Sequence, residues 1–169
     1  SIHRGIDVAR ATGITHIAAA TGSTSEAAIK AMLNLPETAL IDMGDFAGGL
    51  LKYLRKHPVA HLTLAGGFGK LSKLAQGHMD LHSSRSRVDM QDLANTAAQV
   101  GANTDTAERI AGANTAMEAL QIAKDTEVPL APAIAGRARS MAMAALAGDT
   151  NVDVTIFDRS GKLVARAGA

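Results

Sequence analysis

Apolar and polar positions follow one repeated rhythm over the first half of the chain. A short apolar run, a glycine-containing turn and a segment of helical periodicity recur three times. The runs are His16-Ile17-Ala18-Ala19-Ala20-Thr21-Gly22, Thr38-Ala39-Leu40-Ile41-Asp42-Met43-Gly44 and His61-Leu62-Thr63-Leu64-Ala65-Gly66-Gly67. Helical segments follow them at 23–35, 45–57 and 68–76. Pro58 ends the second, because the residue before a proline avoids the α region, and Gly77 suits a C-cap for the third. Upstream, Ile2, Ile6 and Arg10 share a helix face, with Gly13 as its stop. Strands alternating with helices of this length predict right-handed βαβ units and a parallel sheet.

Beyond Val88 the rhythm becomes helical at 89–100, 105–111, 115–124 and 130–147, punctuated by Gly101, Gly112, Pro129 and Gly148. Val152 to Phe157 then alternates with period two, and Arg159-Ser160-Gly161-Lys162 turns it into Leu163-Val164-Ala165, a hairpin. The tripeptide Ala-Asn-Thr recurs at Ala94, Ala102 and Ala113 with unequal spacings of eight and eleven, which marks helix ends and not a structural repeat. The expected fold class is α/β: a Rossmann-like parallel sheet with flanking helices, a helical insertion and a C-terminal β-hairpin, in one domain over residues 1–169.

Composition narrows the function classes. Three Phe, one Tyr and no Trp leave an aliphatic core and few faces for stacking bases, which argues against a nucleic-acid partner. The absence of cysteine removes disulfides, thiol nucleophiles, Cys-ligated zinc and iron–sulfur clusters. No apolar run approaches the roughly 18 residues of a membrane span, so no membrane partner is expected. The opening Ser1-Ile2-His3-Arg4 has neither an initiator Met nor a signal-peptide core, which suggests a piece of a longer cytoplasmic protein. The oligomeric state is left open.

In an open parallel sheet, ligands bind beyond the carboxyl ends of the strands, so the three glycine turns define the expected site. The first, Thr21-Gly22-Ser23-Thr24-Ser25-Glu26, offers hydroxyls and free N–H groups at a positive helix end, suited to an anion or a ribose. The same residues read as a capping box with Ser23 at the cap and Glu26 three positions on. Asp42 closes the second strand twenty residues after Gly22, where a carboxylate can accept from both hydroxyls of a ribose diol. Asp45 competes for that role and also reads as a helix cap. The third turn, Gly66-Gly67-Phe68-Gly69-Lys70, matches neither a P-loop nor a complete dinucleotide fingerprint. Its glycines still allow close approach of a ligand to the backbone. Lys70 lies in the first helical turn against the helix dipole, and such a cation calls for an anionic partner.

Charge is unevenly placed. Between Phe46 and Val88 seven basic residues and one acid give +6, leaving −5 for the remainder and +1 overall. Lys52, Arg55 and Lys56 form one helix stripe that reads as a solvated face. The polar stretch from Gly77 to Arg87 carries His78, His82, three serines, Arg85 and Arg87, a set able to grip carboxylates or phosphates and to move protons near neutrality. His78 and His82 lack the glutamate of a zincin motif and an obvious third ligand, so no protein-held metal is expected.

Four ordered motifs stand out: the opening Ser-Ile-His-Arg-Gly-Ile-Asp-Val-Ala-Arg-Ala, Thr21 to Glu26, Gly44-Asp45-Phe46-Ala47-Gly48, and Gly66 to Ala75 continuing through Asp80-Leu81-His82-Ser83. Together they resemble the CbiD family of cobalt-precorrin-5B C(1)-methyltransferases. The resemblance implies methyl transfer from S-adenosylmethionine to C-1 of cobalt-precorrin-5B, giving cobalt-precorrin-6A in anaerobic cobalamin biosynthesis. It also implies that this chain is the C-terminal half of a two-domain enzyme whose N-terminal domain is a partner, and that cobalt arrives only within the substrate. Asp80-Leu81-His82-Ser83 departs from the Thr-His-Ser common in the family, and Arg85-Ser86-Arg87 is more basic than usual. On this reading Thr21, Gly22, Ser23, Asp42, Asp45, Gly66, Gly67 and Lys70 hold the methyl donor. Lys73, Arg85 and Arg87 meet the polyacidic substrate, and His78 or His82 steers a proton or the macrocycle. Two rivals are a nicotinamide-dependent oxidoreductase domain, which would want a full Gly-x-Gly-x-x-Gly after the first strand, and an anion- or RNA-binding module on the basic segment.

Overall fold

The computed structural model describes residues 1–168. Helix α1 (Ile2–Ala11) precedes strand β1 (His16–Ala20), helix α2 (Ser23–Leu33), strand β2 (Leu40–Asp42), helix α3 (Ala47–Lys56), strand β3 (His61–Gly66) and helix α4 (Phe68–Ala75). Helices α5 (Met90–Gln99), α6 (Thr104–Ala111), α7 (Ala116–Asp125) and α8 (Leu130–Leu146) form the insertion before the hairpin of β4 (Asn151–Phe157) and β5 (Leu163–Ala167). The five strands run in the order β2-β1-β3-β4-β5, parallel except for the antiparallel last pair. The sheet is therefore mixed and mostly parallel.

Alternation along the strands divides the apolar residues between two faces. Ile17, Ala19, Leu62, Leu64, Val152, Val154 and Ile156 face the larger core, where α3 contributes Leu50, Leu51 and Leu54, α4 contributes Leu71 and Leu74, and α8 adds Ile134. Each such buried leucine or isoleucine contributes about 1.5–3 kcal/mol. The opposite face packs Ala18, Ala20, Ala65 and Phe157 against Ile29 of α2. Alanines in β1 suit this position because α2 lies close over that strand.

Three local expectations are corrected. Glu37–Ala39 is a 3-10 turn, so β2 starts at Leu40 and not at Thr38; Pro36 begins this turn without a backbone donor. The cap of α2 is Gly22, in a left-handed conformation at φ 94°, so Ser23 is the first helical residue and no capping box forms. The Ala-Asn-Thr triplets supply caps only at Asn103 and Thr115, whereas Ala94 lies inside α5. No described helix is long and apolar enough to cross a membrane.

Candidate functional site

The parallel register carries the three glycine turns to one rim. Ala20 pairs with both Asp42 and Ala65, so the chain leaves β1, β2 and β3 at adjacent points. From β1 the chain crosses by α2 to β2, whereas β3 lies on the other side of β1. The rim between β1 and β3 is therefore the topological switch point, the place where open α/β sheets bind ligands. Thr21 is buried there and donates its N–H to Ala65 O at 2.9 Å.

A cleft of about 660 Å³ opens at this rim. Its upper wall comes from Thr24 and Ser25 of α2 and from Gly67, Lys70 and Lys73. The apolar side is built from Met117 and Leu120 of α7, Phe157 at the end of β4 and Val164 of β5. Lys124 and Arg159 bring two further cations to the same space from α7 and the hairpin turn. Neither was visible as a candidate in the sequence, because Lys124 arrives with α7, which packs on α4, and Arg159 with the hairpin turn, whose Gly161 lies against Thr24 and Ala28 of α2. Asp158 fixes that turn: its Oδ1 accepts from Ser160 N at 2.9 Å, Ser160 Oγ at 2.6 Å and Lys162 N at 3.0 Å. These bonds, first the Ser160 hydroxyl and then the Lys162 amide, hold the Asp158 pKa below its ordinary value.

Lys70 finds its anionic partner inside the chain. Its Nζ lies 2.6 Å from Asp45 Oδ1 and donates to Leu81 O at 3.1 Å, while Lys73 Nζ donates to the same carbonyl at 2.9 Å. Leu81 N in turn donates to Asp45 O at 2.9 Å. Phe46, and not Asp45, is the cap of α3. Two lysines and one aspartate thus pin residues 79–81 against the β2–α3 turn and the start of α3, where Gly48 N donates to Met79 O at 2.9 Å. A Cβ on Gly48 would lie only 2.8 Å from Met79 Cβ, so this approach needs the glycine. Burial, followed by the charge of Lys70, lowers the Lys73 pKa.

The remaining candidates lie outside the cleft lining. Asp42 ends β2 in a separate depression shared with Ser1, Ile2 and Phe46, and its Oδ1 accepts from Gly44 N at 3.0 Å. His78, His82, Arg85 and Arg87 do not line the cleft, although Ser83 does. His82 Nδ1 accepts from Ser84 N at 3.1 Å, and Asp80 accepts from His82 N at 3.1 Å. Arg85 Nε pairs with Asp80 Oδ2 at 3.4 Å. Gln76 and Asp89 close the loop with reciprocal bonds of 2.9 and 2.8 Å. Lys52, Arg55 and Lys56 are exposed on α3, which returns from the rim to the opposite edge, so the basic segment divides between two places.

Comparison with known proteins gives a consistent picture. Residues 80–168 match the family model described as CbiD, C-terminal domain. The chain is 57% identical to a protein of Methylorubrum extorquens named cobalt-precorrin-5B C(1)-methyltransferase, over 98% of this chain and 46% of that protein. It is 55% identical to a protein of the same name from Brucella ovis, over 98% of this chain and 45% of the relative. The chain therefore spans about half the length of the curated relatives it matches. No solved structure matches it significantly.

Proposed function

From the premise that this chain belongs to the CbiD C-terminal domain family, we propose that it is the ligand-binding half of a cobalamin-biosynthesis methyltransferase. The reaction is transfer of a methyl group from S-adenosylmethionine to C-1 of cobalt-precorrin-5B, giving cobalt-precorrin-6A. The observation that carries this reading is the cleft at the β1/β3 rim, apolar on one side and ringed by Lys70, Lys73, Lys124 and Arg159. A tetrapyrrole precursor is a flat apolar ring bearing carboxylates at its edge. Such a ligand suits an apolar wall with a cationic margin better than a uniformly polar groove.

The donor set also suits the cosubstrate. Asp42 offers a carboxylate for a diol, Gly22 leaves the first N–H groups of α2 clear, and a Cβ at Gly67 would have no atom within 4 Å, so the backbone there can be approached closely. The sulfonium supplies the activated methyl; the chain's task is to hold donor and acceptor carbon in line, which positioning accomplishes more than acid–base help. Lys124 and Arg159 orient the ring through its carboxylates, joined by Lys73 and by Arg85 and Arg87 of the adjoining loop. His82, which precedes Ser83 of the cleft wall, is the imidazole placed to steer a proton or the macrocycle, with His78 its alternative. Cobalt enters as part of the substrate.

Calorimetric titration with S-adenosylhomocysteine tests the donor subsite. Wild-type chain binds, and Asp42→Ala or Lys70→Ala weakens binding about tenfold, the loss expected for a hydrogen bond or positioned charge at a polar ligand. Unchanged affinity in both variants would remove the assignment.

A further inference from the structure

The sheet face covered by α2 is only partly covered, and at its far end the strands assemble a polar cluster that the cleft does not use. His16 of β1 and His61 of β3 are register partners, as are Thr63 of β3 and Asp153 of β4. In-register neighbours on parallel strands point to the same face, and alternation puts residues 61 and 63 there together. Three adjacent strands therefore deliver two imidazoles and one carboxylate to one spot. We propose that His16, His61 and Asp153 form a binding site for a divalent transition-metal cation of the Zn²⁺ or Co²⁺ class.

The geometry suits a three-ligand site. The ligand atoms of the three residues all lie within 4.8 Å of one another. His61 Nε2 meets Asp153 Oδ1 at 2.6 Å, and His16 Nε2 meets Thr63 Oγ1 at 2.8 Å. Thr63 Oγ1 donates to the same Asp153 oxygen, so the two imidazoles aim at acceptors that touch each other. The rings are stacked with centroids 3.8 Å apart and planes within 9° of parallel, so one imidazole must rotate out of the stack for both Nε2 atoms to face a shared ion. A tetrahedral ion with bonds of about 2.0–2.1 Å holds its ligand atoms roughly 3.3 Å apart, so the His61–Asp153 pair must open from 2.6 Å while any wider pair, none beyond 4.8 Å, closes. Two histidines and a carboxylate leave a fourth position for water, the pattern of open zinc sites.

The surroundings support the ligands. Asp153 is completely buried, and its second oxygen, Oδ2, is held by Arg166 Nε at 3.1 Å and Nη2 at 3.0 Å. A ligating carboxylate is commonly oriented in this way through its distal oxygen. His16 and His61 are half-buried, so the ion can enter from the open face. Burial, followed by the neighbouring His61, lowers the His16 pKa and favours the neutral form that binds metal. On binding, each Nε2 becomes bare: its proton moves to Nδ1, or from an imidazolium to solvent. Protons compete with the ion for the imidazoles, so occupancy falls on acidification. The ion would tie β1, β3 and β4 together at the strand starts, away from the cleft, so this proposal does not depend on the proposed reaction.

The test uses metal-free chain and Co²⁺ alone at pH 8, read by visible absorption and by calorimetry. One Co²⁺ should bind per chain with the intense bands of a four-coordinate site and a raised thermal midpoint, and binding should weaken on acidification to pH 5. Single His16→Ala or His61→Ala variants should lose about tenfold or more in affinity, while His78→Ala/His82→Ala should bind as wild type. Absence of saturable binding to the wild-type chain overturns the proposal without reference to any variant. Equal binding by His16→Ala/His61→Ala also overturns it, since the ion must then sit elsewhere.

Discussion

Two glycines at the same turn separate packing from ligand approach. A Cβ at Gly66 would fall 2.6 Å from Thr21 Cγ2 and 3.4 Å from Leu71 Cγ. Thr21 is buried and branched at Cβ, so it has little room to swing aside. Gly66→Ala should therefore destabilise the fold by about 1–3 kcal/mol, measured by urea unfolding. At Gly67 an added Cβ would have no atom within 4 Å, and φ is −77°, which alanine adopts freely. Gly67→Ala should leave stability unchanged or raise it by up to about 1 kcal/mol, yet weaken S-adenosylhomocysteine binding by blocking the backbone. A variant that binds the ligand as wild type would place the donor elsewhere. A third residue, His16, sets a pH dependence. Its folded pKa lies below the ordinary 6.5, lowered first by burial and next by His61. Below pH 6.5 the unfolded chain thus binds a proton that the folded chain resists, and this contribution to stability falls as the solution is acidified through that window. With chelator present, urea midpoints between pH 8 and pH 5 should fall less steeply in His16→Asn than in wild type.

Helix packing in the insertion depends on one arginine. Arg137 of α8 donates to Asp92 Oδ2 at 2.8 Å and Thr96 Oγ1 at 2.7 Å on α5, and to Ala75 O at 3.4 Å at the end of α4. It is about one-third exposed at 36%, so solvent screens part of the attraction. Arg137→Ala should cost about 1 kcal/mol and raise amide exchange in α5 ahead of the sheet. These elements were legible from sequence because each has its own period and its own stop: Gly13 after α1, Pro58 after α3, the Leu130 start of α8 behind Pro129. What was not legible were contacts made by segments without a period. Residues 79–81 pair with the β2–α3 turn through Leu81 and Gly48, and nothing in a polar loop announces which backbone it will meet. The same limit applies to the Gly22 cap, since Ser23 and Glu26 satisfy the capping pattern while the backbone turns one residue earlier.

On the scale of the molecule, the strand order decides which distant residues share a site. The rim of Gly22, Gly44 and Gly66 followed from the βαβ grammar alone, because parallel strands all end on one side. Lys124 and Arg159 required knowing that α7 packs on α4 and that the hairpin turn lies against α2, and His16, His61 and Asp153 required knowing that β4 pairs with β3. The cleft is lined by a chain that covers only 45–46% of its curated relatives. Binding and turnover should therefore separate. On the proposed reading the donor is held by residues of this chain at the ends of β1, β2 and β3, so the 169-residue chain should bind S-adenosylhomocysteine. Methyl transfer additionally requires a large acceptor held in line and shielded from water, and the cleft is open on its outer side. A misplacement of about 1 Å can cost roughly 10²-fold in rate, so the isolated chain should turn over at least about 10²-fold more slowly than the full-length relative under saturating donor and cobalt-precorrin-5B. Adding the relative's remaining half as a separate polypeptide should restore part of that rate. Full activity from this chain alone would mean that its cleft needs no second half to position the substrate.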